Sequence, residues 1–230
     1  MMKHYFIPGF GTKAFVYQPL VKALPHVKII DSWDYSYDTS KSILDKLSDE
    51  APLLLSGWSL GSLYALKYAI EHPGKVIALF LTGFTARFTE KEGYDNGIGA
   101  KTLKRMITLL SRNPQGVMKN FYESVFQKCA NKEAIIEELS RDLPKSDDLL
   151  TGLKALENLD LLGNLPLLNI PVRIYHGIDD PITPLKGAQL AAEILQKAEI
   201  IQVKGGHSAF LENTWAYAQN YEGFICTIKK

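Results

Sequence analysis

A serine lies between two glycines in the segment GWSLG, and its hydroxyl could carry out covalent chemistry. The pattern G-x-S-x-G places Ser59 after an apolar run and before a segment with helical spacing. A sharp turn from strand to helix would strain the backbone of this serine, and the flanking glycines would relieve the crowding. The sequence therefore predicts that Ser59 is a nucleophile at the carboxyl edge of a sheet rather than an ordinary helix cap.

A serine hydroxyl needs a base to take its proton, and the chain contains five histidines. The predicted base is His207, which is the histidine placed late in the chain, in a glycine-opened loop after the last predicted strand. The base in turn needs a carboxylate, which either Asp179 or Asp180 in HGIDDPITP could provide. The spacing G-x-x-D-x-x-T-P favours Asp180 and leaves Asp179 as a turn or cap residue.

Acyl transfer at this serine would create a tetrahedral oxyanion, which needs N–H donors. One predicted donor is the backbone N–H of Leu60, directly after the nucleophile, and the other is the N–H of Phe10 in the loop IPGFGT. The same loop is two residues short of a phosphate-binding loop and has no lysine partner, which argues against a nucleotide site. We therefore expect a hydrolytic site that acts without a metal or a cofactor.

Short apolar runs alternate with longer helical segments, which predicts an α/β fold with a mainly parallel sheet covered on both faces. Six strands are predicted at residues 4–7, 27–31, 52–56, 76–81, 172–176 and 199–203. Helices are predicted at residues 15–24, 40–49, 60–71, 185–197 and 214–227. From about residue 84 to residue 168 the patterns are helical only, which indicates an inserted helical cap. We expect a core of residues 1–83 and 169–230 and a cap of residues 84–168, within one structural domain overall.

The bulk composition is that of an ordinary globular chain of 230 residues with a net charge of +1. This charge gives no sign of a nucleic-acid or membrane partner. The two cysteines do not make a disulfide framework, and the sequence contains no signal-peptide pattern. We therefore expect a soluble, cytoplasmic monomer.

The chain resembles the α/β-hydrolase superfamily over nearly its whole length, on the segments PGFGT, SGWSLGSLYALKYAIEHPGKVIALFLTG, HGIDDPITP and GGHSAF. With Trp58 before the nucleophile and the stretch DLLTGLKALENLDLLGNLPLLNIPV, it is most similar to the pimeloyl-[acyl-carrier protein] methyl ester esterases of biotin synthesis. The resemblance implies an α/β-hydrolase fold, a serine carboxylesterase activity and a helical cap over the active site. It also implies that Phe10, Trp58, Phe121 and Tyr122 contact the substrate.

Two positions depart from the pattern of that family. Pro8-Gly9 stands where a histidine-glycine pair is usual, and Gly61-Ser62 stands where a glycine pair ends the serine motif. Neither departure removes a predicted catalytic group, and both could alter the oxyanion loop and the packing of the following helix slightly.

The first half of the predicted cap is basic. Residues 99–132 contain seven basic residues and one acidic residue, a local charge of +6, whereas residues 133–160 contain three basic and eight acidic residues. A polarised face could dock an acidic partner, and acyl carrier proteins are strongly acidic. The other interpretation is a solvated helix face. The predicted docking residues are Lys101, Lys104, Arg105 and Arg112.

The favoured function is hydrolysis of the methyl ester of pimeloyl-[acyl-carrier protein] through an acyl-enzyme. A general carboxylesterase or thioesterase without a carrier partner remains open, and so does a hydrolase of a ring ester or a carbon–carbon bond. A ligand sensor with little turnover is the alternative of another class, and the intact set of serine, aspartate and histidine counts against a pure scaffold.

Overall fold

A single six-stranded parallel sheet forms the centre of the chain, with the strand order β2-β1-β3-β4-β5-β6. The computed structural model describes residues 2–30 and 52–228. The strands are β1 (Lys3–Ile7), β2 (Val27–Ile29), β3 (Leu53–Trp58), β4 (Val76–Thr82), β5 (Val172–Gly177) and β6 (Ala198–Val203). The predicted fold class is confirmed, and the predicted strand ends differ from these bounds by two residues or fewer.

Nine helices accompany the sheet within the described ranges. They are α1 (Gln18–Ala23), α2 (Leu60–Glu71), α3 (Ala100–Leu110), α4 (Pro114–Val125), α5 (Lys132–Arg141), α6 (Ser146–Asn158), α7 (Leu185–Ile194), α8 (Ala209–Glu212) and α9 (Thr214–Ile228). The predicted helix 15–24 is divided into a 3-10 turn (Ala14–Tyr17) and α1, which has Pro19 in its first turn. The predicted helix 40–49 lies outside the described residues.

The central strand β3 is buried along its whole length, as expected for a strand of a parallel sheet with both faces covered. The next element, α2, packs against β3 and buries nine of its twelve residues. A helix that is apolar around most of its circumference can only be accommodated between the sheet and other elements. The burial of β3 and α2 therefore fixes the turn between them in the interior of the protein.

Four helices, α3 to α6, lie between β4 and β5, in the interval predicted to form the cap. The chain segments that enter and leave this interval are joined by Arg87, whose guanidinium donates to the Asp160 carboxylate at 2.9 Å. Farther out, Lys13 of the core forms an ion pair with Asp142 after α5. None of the helices in the described part of the chain has the length and apolar character of a membrane span.

The turn between β3 and α2 brings backbone against backbone. A Cβ atom on Gly61 would overlap the carbonyl oxygens of Ile7 and Pro8 at the end of β1. The hydroxyl of the neighbouring Ser62 donates to the Gly57 carbonyl at 2.7 Å. The Ser62 Oγ also accepts from the N–H of Thr82 at 3.1 Å, so this serine ties β3, β4 and α2 together.

Gly61→Ala tests the close approach of α2 and β1. The added methyl group meets backbone atoms that cannot rotate away, so we expect a loss of at least about 2 kcal/mol in the free energy of unfolding, measured by urea denaturation. Gly163→Ala is the matched control, because nothing lies within 4 Å of a Cβ at that position. The free energy of unfolding of the control should stay within about 0.5 kcal/mol of the wild-type value. Equal losses in the two variants would contradict a close backbone contact between α2 and β1.

Candidate active site

The backbone of Ser59 adopts a conformation that side chains rarely tolerate. Its φ is 55° and its ψ is −122°, and it is the one non-glycine residue with positive φ in the described part of the chain. The strain arises where β3 ends at Trp58 and α2 begins at Leu60. It projects Ser59 into the space above the carboxyl edge of the sheet, where the residue lines a cavity.

His207 and Asp180 are paired by a buried hydrogen bond. The Nδ1–H of His207 donates to Oδ2 of Asp180 at 2.8 Å, and both side chains are almost completely inaccessible to solvent. The neighbouring Asp179 is exposed and forms an ion pair with Lys128 instead. Asp180, which the spacing in the sequence favours over Asp179, is therefore the one that contacts the histidine.

The Asp180 carboxylate is held by three further donors from its own turn. Its Oδ1 accepts from the N–H groups of Ile182 and Thr183 at 2.8 and 2.9 Å. Its Oδ2 accepts from the Thr183 hydroxyl at 2.7 Å. Burial raises the pKa of Asp180, but the facing His207 and these hydrogen bonds outweigh burial and lower the pKa to about 2. The group is thus an anion at neutral pH, suited to orient an imidazole and to stabilise an imidazolium.

The other nitrogen of His207 remains available. Because Nδ1 donates to a carboxylate, Nε2 carries the lone pair when the ring is neutral. Nε2 is buried and has no hydrogen-bond partner among the residues at 2–30 and 52–228. A buried polar atom without a partner lowers the stability of the fold, so its presence calls for an explanation. A role as the base that accepts the proton of a reacting hydroxyl is such an explanation.

Trp58 supports this histidine rather than lining the cavity. Its indole N–H donates to the backbone carbonyl of His207 at 2.8 Å, and its ring lies 5.3 Å from the imidazole. The side chain is 1% exposed and does not line the cavity that Ser59 lines. The predicted substrate contact at Trp58 is therefore replaced by a role in fixing the position of the predicted base.

The two predicted oxyanion donors lie on adjacent segments. Ile7 at the end of β1 pairs in register with Gly57 of β3, so the loop carrying Phe10 emerges beside the turn that carries Ser59 and Leu60. This loop is fixed from the core side, because the N–H of Gly9 donates to the Tyr17 hydroxyl at 2.9 Å. Phe10 also lines the cavity, and its contact with substrate stays a prediction.

A cavity of about 190 Å³ opens next to Ser59, between the sheet edge and helices α3, α4 and α6. Apart from Ser59 and Thr102, its lining residues are apolar. Phe121 belongs to this lining, whereas Tyr122, which was predicted alongside it, lies in the interior with its hydroxyl bonded to the Gly11 carbonyl. An apolar cavity of about 150 Å³ can hold benzene, so this one has room for a chain of about six to eight carbon atoms.

His176, to which the sequence pattern assigns no role, lies next to the pair of His207 and Asp180. Its Nε2–H donates to the Thr183 carbonyl at 2.9 Å and lies 3.6 Å from Oδ2 of Asp180. Burial lowers the pKa of His176, against the opposing attraction of Asp180. The only visible signal was its place at the end of β5, four residues before Asp180. This neutral histidine is completely buried and packs against the aspartate turn.

The buried His176 makes stability depend on pH. The folded protein holds it neutral, whereas the unfolded chain binds a proton as the pH falls below the ordinary pKa of 6.5. The unfolded state then binds more protons, so stability is lost on acidification, by up to about 1.4 kcal/mol per pH unit. His176→Gln keeps a donor for Thr183 and should lose less free energy of unfolding than the wild type between pH 7 and pH 5 in urea titrations. Equal losses would show that His176 is not the group responsible.

Comparison with known proteins places this chain in a family. The family model described as the alpha/beta hydrolase fold matches residues 28–214. A pimeloyl-[acyl-carrier protein] methyl ester esterase of Neisseria meningitidis serogroup A is 28% identical over 238 residues, covering 97% of this chain and 76% of that protein. The protein of the same name from Aliivibrio salmonicida is 25% identical, covering 95% of this chain and 90% of that protein.

Solved structures agree on the fold. An esterase from Exiguobacterium antarcticum superimposes with a TM-score of 0.82 at 20% identity, covering 100% of this chain and 93% of that chain. A bromoperoxidase from Bacillus anthracis superimposes with a TM-score of 0.84 at 16% identity, covering 98% of this chain and 92% of that chain. At such low sequence identities the two structures show the fold alone. Since the family model spans most of the sequence, this chain is a hydrolase that belongs to the α/β-hydrolase fold family.

Proposed function

We propose that the chain is a serine carboxylesterase, and that its substrate is the methyl ester of a pimeloyl group carried on an acyl carrier protein. One observation carries the proposal. A buried His207–Asp180 pair, with Nε2 of the histidine left without a partner, lies at the sheet edge that also carries the strained Ser59. This arrangement suits acyl transfer through a serine nucleophile.

In the proposed reaction, Oγ of Ser59 attacks the ester carbonyl carbon while Nε2 of His207 takes the hydroxyl proton. The carbonyl oxygen becomes an oxyanion, which accepts hydrogen bonds from the N–H groups of Phe10 and Leu60. The bond to the methoxy group then breaks, and His207 returns the proton to it, so that methanol leaves. Asp180 stabilises the imidazolium between these two proton transfers.

The acyl-enzyme is resolved by water. His207 takes a proton from the water as its oxygen attacks the acyl carbon, and the same oxyanion donors serve a second time. The bond to Ser59 breaks and the proton passes to its Oγ, which restores the serine and frees the carboxylic acid. Apart from the ester and the water, every group named in the two halves of the reaction comes from this chain.

The choice of substrate is supported by the cavity and by the relatives. The lining next to Ser59 is apolar and suits the methylene chain of a pimeloyl group better than a charged acyl group. Two relatives that span nearly the whole chain are named pimeloyl-[acyl-carrier protein] methyl ester esterases. A general carboxylesterase of medium-length esters would have the same lining, so the carrier protein is what separates the two possibilities.

Helix α3 supports a carrier partner because it has two different faces. Leu103 and Met106 line the cavity, whereas Lys101, Lys104 and Arg105 are exposed on the outer side. None of these cations takes part in an ion pair with the other described residues. An acidic carrier protein docked on this face would be separated from the cavity by one helix, about 10 Å in diameter, and its acyl chain would extend past this helix to Ser59.

Replacement of Ser59 tests the chemistry. Ser59→Ala removes the nucleophile, and we expect kcat to fall at least about a thousandfold on pimeloyl-[acyl-carrier protein] methyl ester and on free nitrophenyl esters. Ser111→Ala changes an exposed serine after α3 and should retain wild-type rates. Hydrolysis of the free esters alone would leave a general carboxylesterase. A wild type as inert as Ser59→Ala on every ester would contradict ester hydrolysis and favour a ligand sensor.

Reversal of one charge on α3 tests the docking surface. Lys104→Glu should raise KM for the carrier-bound ester about fivefold or more at low salt, with kcat and the free-ester kinetics unchanged, because docking is electrostatic. Lys197→Glu is the matched control, since Lys197 is exposed and precedes β6 at the amino edge of the sheet, opposite the site. Equal effects of the two reversals would rule out a specific basic docking face.

A further inference from the structure

The position of the predicted oxyanion donor Phe10 is set by a short loop, which is held from two sides. On the core side, the Thr12 hydroxyl donates to the Gly9 carbonyl at 2.9 Å, and the Gly9 N–H donates to Tyr17. The loop turns at Gly11, whose φ is +68°, a conformation that glycine adopts without strain. These contacts define where the loop starts and turns, but they come from the core alone.

The second side is the cap. The hydroxyl of Tyr122, on α4, donates to the carbonyl of Gly11, and it does so from a fully buried position. Met118, one turn earlier on α4, lies where a Cβ of Gly11 would be. Phe121 meets the ring of Phe10 edge-on, with the ring centres 5.4 Å apart. One face of α4 thus closes over the loop that carries Phe10.

Oxyanion stabilisation is sensitive to small displacements, because a donor is effective only when it lies about 2.7–3.1 Å from the developing charge. No other hydrogen bond to the Gly11 carbonyl occurs within the described ranges. Loss of the Tyr122 hydroxyl would leave the Gly11 carbonyl buried without a donor. The loop could then rotate, and the Phe10 N–H would no longer point at the developing oxyanion.

We propose that Tyr122 is a positioning residue of the oxyanion hole, which acts through the Gly11 carbonyl on the N–H of Phe10. The proposal rests on the proposed serine esterase function. It assigns to a cap residue a part in stabilising the transition state, in place of the substrate contact expected from the sequence. Tyr122 touches neither the reacting atoms nor the cavity lining, so its effect is carried by the loop.

Tyr122→Phe removes only the hydroxyl. We expect kcat for a nitrophenyl ester to fall about tenfold while KM stays within about twofold, because the ground state does not use the oxyanion donors. This loss is smaller than the hundredfold or more that follows deletion of a donor, since the Phe10 N–H remains present. Amide hydrogen exchange of residues 9–12 should become at least about tenfold faster than in the wild type.

Tyr94→Phe is the matched control. Tyr94 is also buried and donates its hydroxyl to a backbone carbonyl, that of Arg87, at 2.9 Å. Tyr94→Phe should lose about as much thermal stability as Tyr122→Phe does. It should keep the wild-type kcat and the wild-type rate of amide hydrogen exchange at residues 9–12. Unchanged exchange of this loop in Tyr122→Phe, or a kcat within twofold of the wild type, would overturn the proposal. An inert wild type would overturn the esterase function instead, and the exchange measurement would still decide the role of Tyr122.

Discussion

The strained backbone at Ser59 is the constraint on which the rest of the structure depends. A residue in such a conformation costs of the order of 1–3 kcal/mol, so its surroundings must hold it in place. The N–H of Ser59 donates to the Thr82 carbonyl at 2.9 Å, which ties the turn to β4. On the other side, the backbone of Gly61 approaches the end of β1 so closely that no side chain fits between them. This contact brings the Phe10 loop beside the serine.

The same turn also determines where the predicted base lies. Trp58 precedes the serine, and it uses its indole N–H to hold the carbonyl of His207. The imidazole is then fixed at its other end by Asp180, which is itself bound by its own turn. The three predicted catalytic residues come from loops after β3, β5 and β6. Their positions are thus mutually dependent, although Ser59 lies more than a hundred residues from the other two in sequence.

The sequence was sufficient for the fold and for the types of residue at the site, because both leave local patterns. Buried parallel strands are apolar runs, and a serine turn needs glycines at fixed offsets. The roles of Trp58, Tyr122 and His176 left no such pattern. Each depends on a hydrogen bond to a distant segment, and an aromatic residue in an apolar stretch looks the same whether it lines a cavity or supports a loop. Helix α7 likewise ends at Ile194, three residues before the predicted end, because Leu195 adopts an extended backbone.

Helix α4 differs from the other cap helices in what it contacts. Tyr122 binds the oxyanion loop, and the Val125 carbonyl at the end of the helix accepts a hydrogen bond from Ser208, next to the predicted base, at 2.9 Å. Helices α3 and α6 supply three and two side chains, respectively, to the cavity, whereas α4 supplies Phe121 alone. The cap therefore divides into two parts that can diverge at different rates. Substitutions in α3 and α6 can change the accepted acyl chain gradually, whereas α4 must vary together with the loops of the core. A laboratory exchange of caps between relatives would have to carry α4 and its loops as one unit.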